Sequence, residues 1–176
     1  TKVFYTAGGR EVRDGGGIKP DVEVKADTLP NIAFYLAGAR DSNEVLLNYE
    51  IDYIAKHPTI APAAEFALTD ADYDEFKARV LKADFKYDRE TEKYLKDLEK
   101  LAKFEGYYED AKGEIEALKK KLSHNVAKDL DYNKQTIKQI LENDIVEAYY
   151  FQGGAIRNSL RYDKQVKKAV ELLNSP

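Results

Sequence analysis

The sequence predicts a mainly α protein with a small N-terminal β element, an α+β chain whose antiparallel helices form an irregular helical domain. Three observations carry this. Residues 1–25 alternate β-branched and aromatic runs with glycines, the pattern of short strands and turns. From Thr28 onward apolar residues recur at spacings of three and four. Finally, 34% of the 176 residues are charged and the mean hydropathy is -0.61, which suits helices that keep one face in water. The boundary falls between Lys25 and Thr28, giving a β-rich segment over residues 1–27 and a helical domain over 28–176.

In the β-rich segment "VFYT", "REV" and "DVEV" read as two or three short strands. Ala7, Gly8 and Gly9 turn the first into the second, and "GGGIKPD" links the second to the third. A glycine run of this kind could cradle a phosphate if a helix N-terminus followed it. Here Pro20 and another strand-like run follow, and the lysine-serine pair of a phosphate loop is missing. The glycines are better explained as a turn that needs positive φ or close backbone approach, with Pro20 holding Lys19 extended.

The helical domain opens with "TLPNIAFYLAGA", which carries a capping Thr28, an early Pro30 and a late glycine. "SNEVLLNYEIDYIAKHP" follows, with Ser42 as N-cap and Pro58 beyond the end. "TIAPAAEFAL" reads as a loop lying over the core. Thr69 and Asp70 open a helix with Tyr73, Phe76 and Val80 on its inner face. Three further stripes are expected to be buried: Leu95, Leu98, Leu101 and Ala102; then Ile115, Leu118, Leu122, Val126 and Leu130; then Ile137, Ile140, Leu141, Ile145, Ala148 and Tyr149. The glycine pair in "YYFQGGAIRNSLRYD" marks a kink or an end, and a last helix runs from about Asp163 to Leu173.

Composition narrows the function. A formal charge of -4 and a pI near 5.4 give no net field for nucleic acid, and Lys119–Lys121 follow Glu114 and Glu116 on what reads as a solvated face. No apolar run is long enough to span a bilayer. Cysteine is absent, which removes disulfides, thiolate catalysis and cysteine metal sites. His57 and His124 stand 67 residues apart near predicted helix ends without companion ligands. Asp70/Asp72 and Glu114/Glu116 read as helix-end or surface charges. Thr1 as an N-terminal nucleophile does not fit a largely helical remainder. The 13 tyrosines, Tyr107/Tyr108 and Tyr149/Tyr150 among them, suit a core or interface that uses an apolar ring with a polar tip. No catalytic constellation, cofactor site or metal site is expected. The missing initiator Met and the strand-like opening lead to the expectation of a piece of a larger protein.

"FYTAGGREV" followed by "GGGIKPDVEV" resembles the stretch that ends the catalytic core of the carboxyl-terminal processing peptidases, the tail-specific proteases. The residues that carry the resemblance are Tyr5, Thr6, Gly9, Arg10, Gly17, Ile18, Pro20, Asp21 and Val22, with Ala7 where the family often has proline. "FALTDADYDEF" and "GGAIRNSLRYDKQVKKAVELL" are similar to the helical C-terminal extension of longer, envelope-associated members. The resemblance implies a serine endopeptidase, a hydrolase with a serine nucleophile, a lysine base and a PDZ-like module that gathers protein substrates. All of these precede the matching stretch in that family, so none falls on a residue of this chain. Residues 1–27 would then be the last strands of the protease core and 28–176 an inactive helical appendage for packing, assembly as a homo-oligomer or partner binding. The family also implies the periplasm or cell envelope of a bacterium. The alternative is a free-standing helical interaction module without protease activity.

Overall fold

The computed structural model describes residues 2–15, 20, 22–38 and 44–175. Two strands, β1 (Val3–Tyr5) and β2 (Glu11–Arg13), pair antiparallel with Val3 opposite Arg13, Phe4 opposite Val12 and Tyr5 opposite Glu11. Eight helices follow among the described residues: α1 (Asn31–Gly38), α2 (Val45–Lys56), α3 (Asp70–Lys82), α4 (Glu90–Glu105), α5 (Tyr108–Lys121), α6 (Val126–Tyr132), α7 (Lys134–Ser159) and α8 (Lys164–Leu173). The chain is thus mainly helical with a small N-terminal β element, as its periodicity predicts. It divides into two compact units, Thr1–Asp27 with Lys164–Pro176, and Thr28–Asp163.

The larger unit is built on burial. Ile32, Ala33 and Leu36 of α1 meet Val45, Leu46 and Tyr49 of α2, while Ile137, Leu141 and Ile145 of α7 fill the centre. Tyr73, Phe76 and Val80 lie on one face of α3 and are fully buried. That helix starts where the sequence places it. The Thr69 hydroxyl accepts from the Asp72 N–H at 3.1 Å and the Asp72 carboxylate accepts from the Thr69 N–H at 2.8 Å, a reciprocal capping box. The segment between α2 and α3 does lie over the core, burying Ala63, Phe66 and Leu68.

Several local expectations change. The third strand, "DVEV", does not form among the described residues, because nothing pairs with Val22–Lys25. α1 starts after Pro30, whose carbonyl accepts the Phe34 N–H at 3.0 Å, so Thr28 lies outside the helix. Ser42 falls outside the described residues; α2 follows Glu44, which stands at φ 49°. The stripe from Ile115 to Leu130 is cut in two: α5 ends at Lys121, and Asn125 caps α6 by accepting the Lys128 N–H at 3.0 Å. Leu98 and Leu101, expected inside, are 47% and 52% exposed, and of that stripe only Leu95 is buried.

α7 does kink near the glycine pair. The residue that leaves helical geometry is Phe151, at φ 57° and ψ -171°, and its side chain is 78% exposed. Gly154 restarts the helix at close quarters, with Tyr150 and Val146 packed where a β-carbon would stand.

The smaller unit holds the hairpin, an extended stretch and α8. Lys164 forms an ion pair with Asp27. Pro20, Val22 and Val24 face Ala169 and Leu172 across an open groove of about 570 Å³.

Candidate functional site

The residues singled out by sequence fall mostly on the hairpin. Tyr5 ends β1 opposite Glu11. Thr6 closes the turn three ways: its N–H donates to the Arg10 carbonyl at 2.9 Å, its carbonyl accepts from Gly9 N–H at 2.9 Å, and its hydroxyl accepts from Arg10 N–H at 3.1 Å. Gly9 sits at φ 79°, left-handed geometry that a side chain would strain. Arg10 thus stands fixed where β2 begins. Pro20 is exposed and lines the groove against α8. Gly17, Ile18 and Asp21 lie outside the described residues. Every described hairpin residue is exposed, and a two-stranded ribbon with both faces in water has little stability of its own.

In the larger unit α7 and the residues after it pin the loop between α2 and α3. Glu142 is 1% exposed; its Oε1 accepts from the Leu68 N–H at 2.9 Å and its Oε2 from the Tyr162 hydroxyl at 2.7 Å, with the Arg161 guanidinium at 3.4 Å. Buried Asn158 donates to the carbonyls of Ala63 at 2.9 Å and Phe66 at 3.2 Å. The Tyr149 hydroxyl donates to the His57 carbonyl, and that of Tyr150 reaches those of Ile60 and Ala61 at 3.1 and 3.2 Å. Tyr73 and Tyr49 follow the same plan inside the core, bonding the carbonyls of Leu130 and Asp72. These tyrosines serve packing and the buried polar groups serve loop fixation, whereas Tyr5, Tyr94, Tyr107 and Tyr132 are exposed. Sequence reasoning missed Glu142 and Asn158.

Side chains with chemical potential do not converge on a reaction. The Ser159 hydroxyl donates to the Ile156 carbonyl within α7, and the Ser175 hydroxyl, just past α8, donates to the Glu171 carbonyl, both at 2.9 Å. His57 stacks on Tyr53 at 4.0 Å, its Nδ1 2.8 Å from the Tyr53 carbonyl. His124 faces Asp129 at 3.4 Å and Glu92 at 4.0 Å rather than resting at a helix terminus alone. Among the described residues no group of three or more ligands is placed to hold a metal. Between α2 and α7 the Glu50 carboxyl is pushed up to about 8 by burial, by the Asp144 charge and by a hydrogen bond to Asp144. Asp144 is also raised, through burial first. Burial opposes the ionisation of both carboxyls.

The surface offers more than the interior. α4 and α5 form a helical hairpin closed by Leu95 and Ile115, which lie outside the main core. The Glu99 carboxylate joins the two helices through Lys119, and also binds Lys103. Tyr94, Leu98 and Leu101 follow one another at four and three residues along α4 and are exposed, as is Phe104 at 89%. They make an apolar strip on the α4–α5 arm, the kind of surface that meets another macromolecule.

Residues 32–173, which make up most of the chain, match the family model described as "Probable PDZ-protease, C-terminal helical domain". No curated protein matches the chain, and no solved structure does. The matched span runs from the first buried residue of α1 to the end of α8 and leaves the β hairpin outside.

Proposed function

The chain belongs to the family of C-terminal helical domains of probable PDZ-proteases, and on that premise we propose that it is the carboxyl-terminal portion of a carboxyl-terminal processing serine endopeptidase. The family match over the helical domain is the observation that carries this reading. Residues 1–27 then supply the closing strands of the protease core, which explains a hairpin with both faces exposed. The serine nucleophile, lysine base and PDZ-like module belong to other segments of the same protein. Residues 28–176 act as an inactive appendage whose α4–α5 arm packs on that core or joins copies of the enzyme. Work on exported proteins in the bacterial periplasm or envelope fits the resemblance of the hairpin stretch.

Deletion of residues 28–176 from the full-length protein tests the reading. Cleavage of a protein substrate and the mass in solution are compared with the intact enzyme. We expect loss of assembly or a fall in turnover. Unchanged mass and turnover would remove the proposed role of the appendage. A full-length protein without a serine-lysine pair would remove the protease and leave the free-standing interaction module.

A further inference from the structure

The arm formed by α4 and α5 joins the bundle through two short linkers, residues 83–89 and 122–125, and these are clasped to each other. The Arg89 guanidinium donates to the Leu122 carbonyl at 3.0 Å. The Tyr87 ring meets the His124 ring edge-on at 4.7 Å, and its hydroxyl donates to Asp129 Oδ2 at 2.9 Å. His124 sits in the middle. Its Nε2 lies 3.4 Å from Asp129 Oδ2 on α6 and its Nδ1 lies 4.0 Å from Glu92 Oε1 on α4.

Each ring nitrogen of His124 thus faces a carboxylate on a different element. A neutral imidazole has one N–H and one lone pair, so it serves one carboxylate and turns its lone pair on the other. The imidazolium serves both. Its Nε2 is buried and makes no hydrogen bond, although Asp129 Oδ2 lies 3.4 Å away. We propose that His124 is a proton-operated clasp at the base of the arm, which fastens α4 to α6 when the ring is charged and loosens when it is neutral.

The charged and titratable groups facing the ring set the balance. These are the Glu92 carboxylate on α4 and the Asp129 carboxylate on α6, with the Arg89 guanidinium held at the Leu122 carbonyl on the neighbouring linker. Tyr87 does not compete for the proton, because burial, then its bond to Asp129, hold its phenol above the ordinary value. It remains a donor to Asp129. The clasp concerns the arm's attachment and holds whether or not the chain serves a protease.

Amide hydrogen exchange on the whole chain tests it, with rates normalised to the intrinsic rate at each pH. The amides to follow are those of 92–93 and 122–129, together with the imidazole nitrogen resonances. Protection there should be about three- to fivefold greater at about pH 5.5 than at about pH 7.5, the scale of one partly exposed ion pair in the window where histidine changes charge. His124→Gln should abolish the difference and Glu92→Gln should reduce it, while His57→Gln leaves it intact. Equal protection in the wild type as the His124 resonances titrate overturns the proposal, even should the variants fold poorly. So does a pH difference that persists in His124→Gln.

Discussion

Two adjacent glycines should answer the same substitution with opposite signs. A β-carbon at Gly154 would stand 2.3 Å from Tyr150 Cβ and 3.3 Å from Val146 Cγ1. Val146 is fully buried and cannot give way, and moving Tyr150 disturbs its bonds to the carbonyls of Ile60 and Ala61. Overpacking of this kind costs about 1–3 kcal/mol. Alanine recovers up to about 1 kcal/mol of helix propensity, so Gly154→Ala should lose on the order of 1–2 kcal/mol. For a chain of this size that lowers Tm by roughly 2–8 °C. Gly153 has nothing within 4 Å of its virtual β-carbon, so Gly153→Ala keeps the propensity gain and should stabilise by up to about 1 kcal/mol. Thermal and urea unfolding, followed by circular dichroism and tyrosine fluorescence, measures both. Shifts of the same sign, or a Gly154→Ala protein as stable as Gly153→Ala, would refute the account of the kink.

Glu50 gives a pH prediction. Its folded value near 8 lies above the ordinary 4.5, so the folded state holds the proton more tightly and stability falls as pH rises between those values. At about 1.4 kcal/mol per pH unit the loss is at most on the order of 3 kcal/mol by pH 7, because Asp144 titrates together with Glu50. Glu50→Gln should flatten this slope in urea unfolding from about pH 5 to 8; an unchanged slope points to another group. Phe151→Gly removes an exposed ring from a backbone geometry suited to glycine and should stabilise by about 1 kcal/mol, net of glycine's entropy; a destabilised variant would mean the ring packs. Glu142→Ala strips the Leu68 N–H and the Tyr162 hydroxyl of their partner and takes the carboxylate from Arg161, and should cost about 2–5 kcal/mol, read in the same urea assay; a loss near zero would show that water replaces the carboxylate.

Much of the helical domain was legible because local rules and tertiary packing agree there. Thr69 and Asp72 form their capping box, and Tyr73, Phe76 and Val80 follow it into the core at helical spacing. The break between α5 and α6 was hidden because apolar spacing continues across it; Ser123 and Asn125 were the overlooked signal, with Asn125 now seen as a cap. Periodicity showed that α4 is amphipathic but not whether anything covers the strip, and Leu98 and Leu101 turn out to be exposed. Glu142 and Asn158 were unreadable for another reason: the loop groups they hold are backbone groups 74 and 92–95 residues away, and backbone groups leave no mark in a sequence. The hairpin motif was legible only by resemblance. Its geometry explains Thr6 and Gly9 as turn residues.

The bonds from α7 and its C-terminal flank to the loop before α3 set a timetable for folding. During synthesis Ala63 and Phe66 leave the ribosome some 95 and 92 residues ahead of Asn158. At about 5–20 residues per second they wait roughly 5–20 s for the groups that hold them. α2 and α3 can associate in that interval, but their connecting loop stays open and Phe66 stays wet. Contacts of such long sequence separation also slow refolding from denaturant. Until α7 emerges, the stretch ahead of it exposes apolar surface that the folded chain buries, and a chain stalled before Asn158 keeps that surface open.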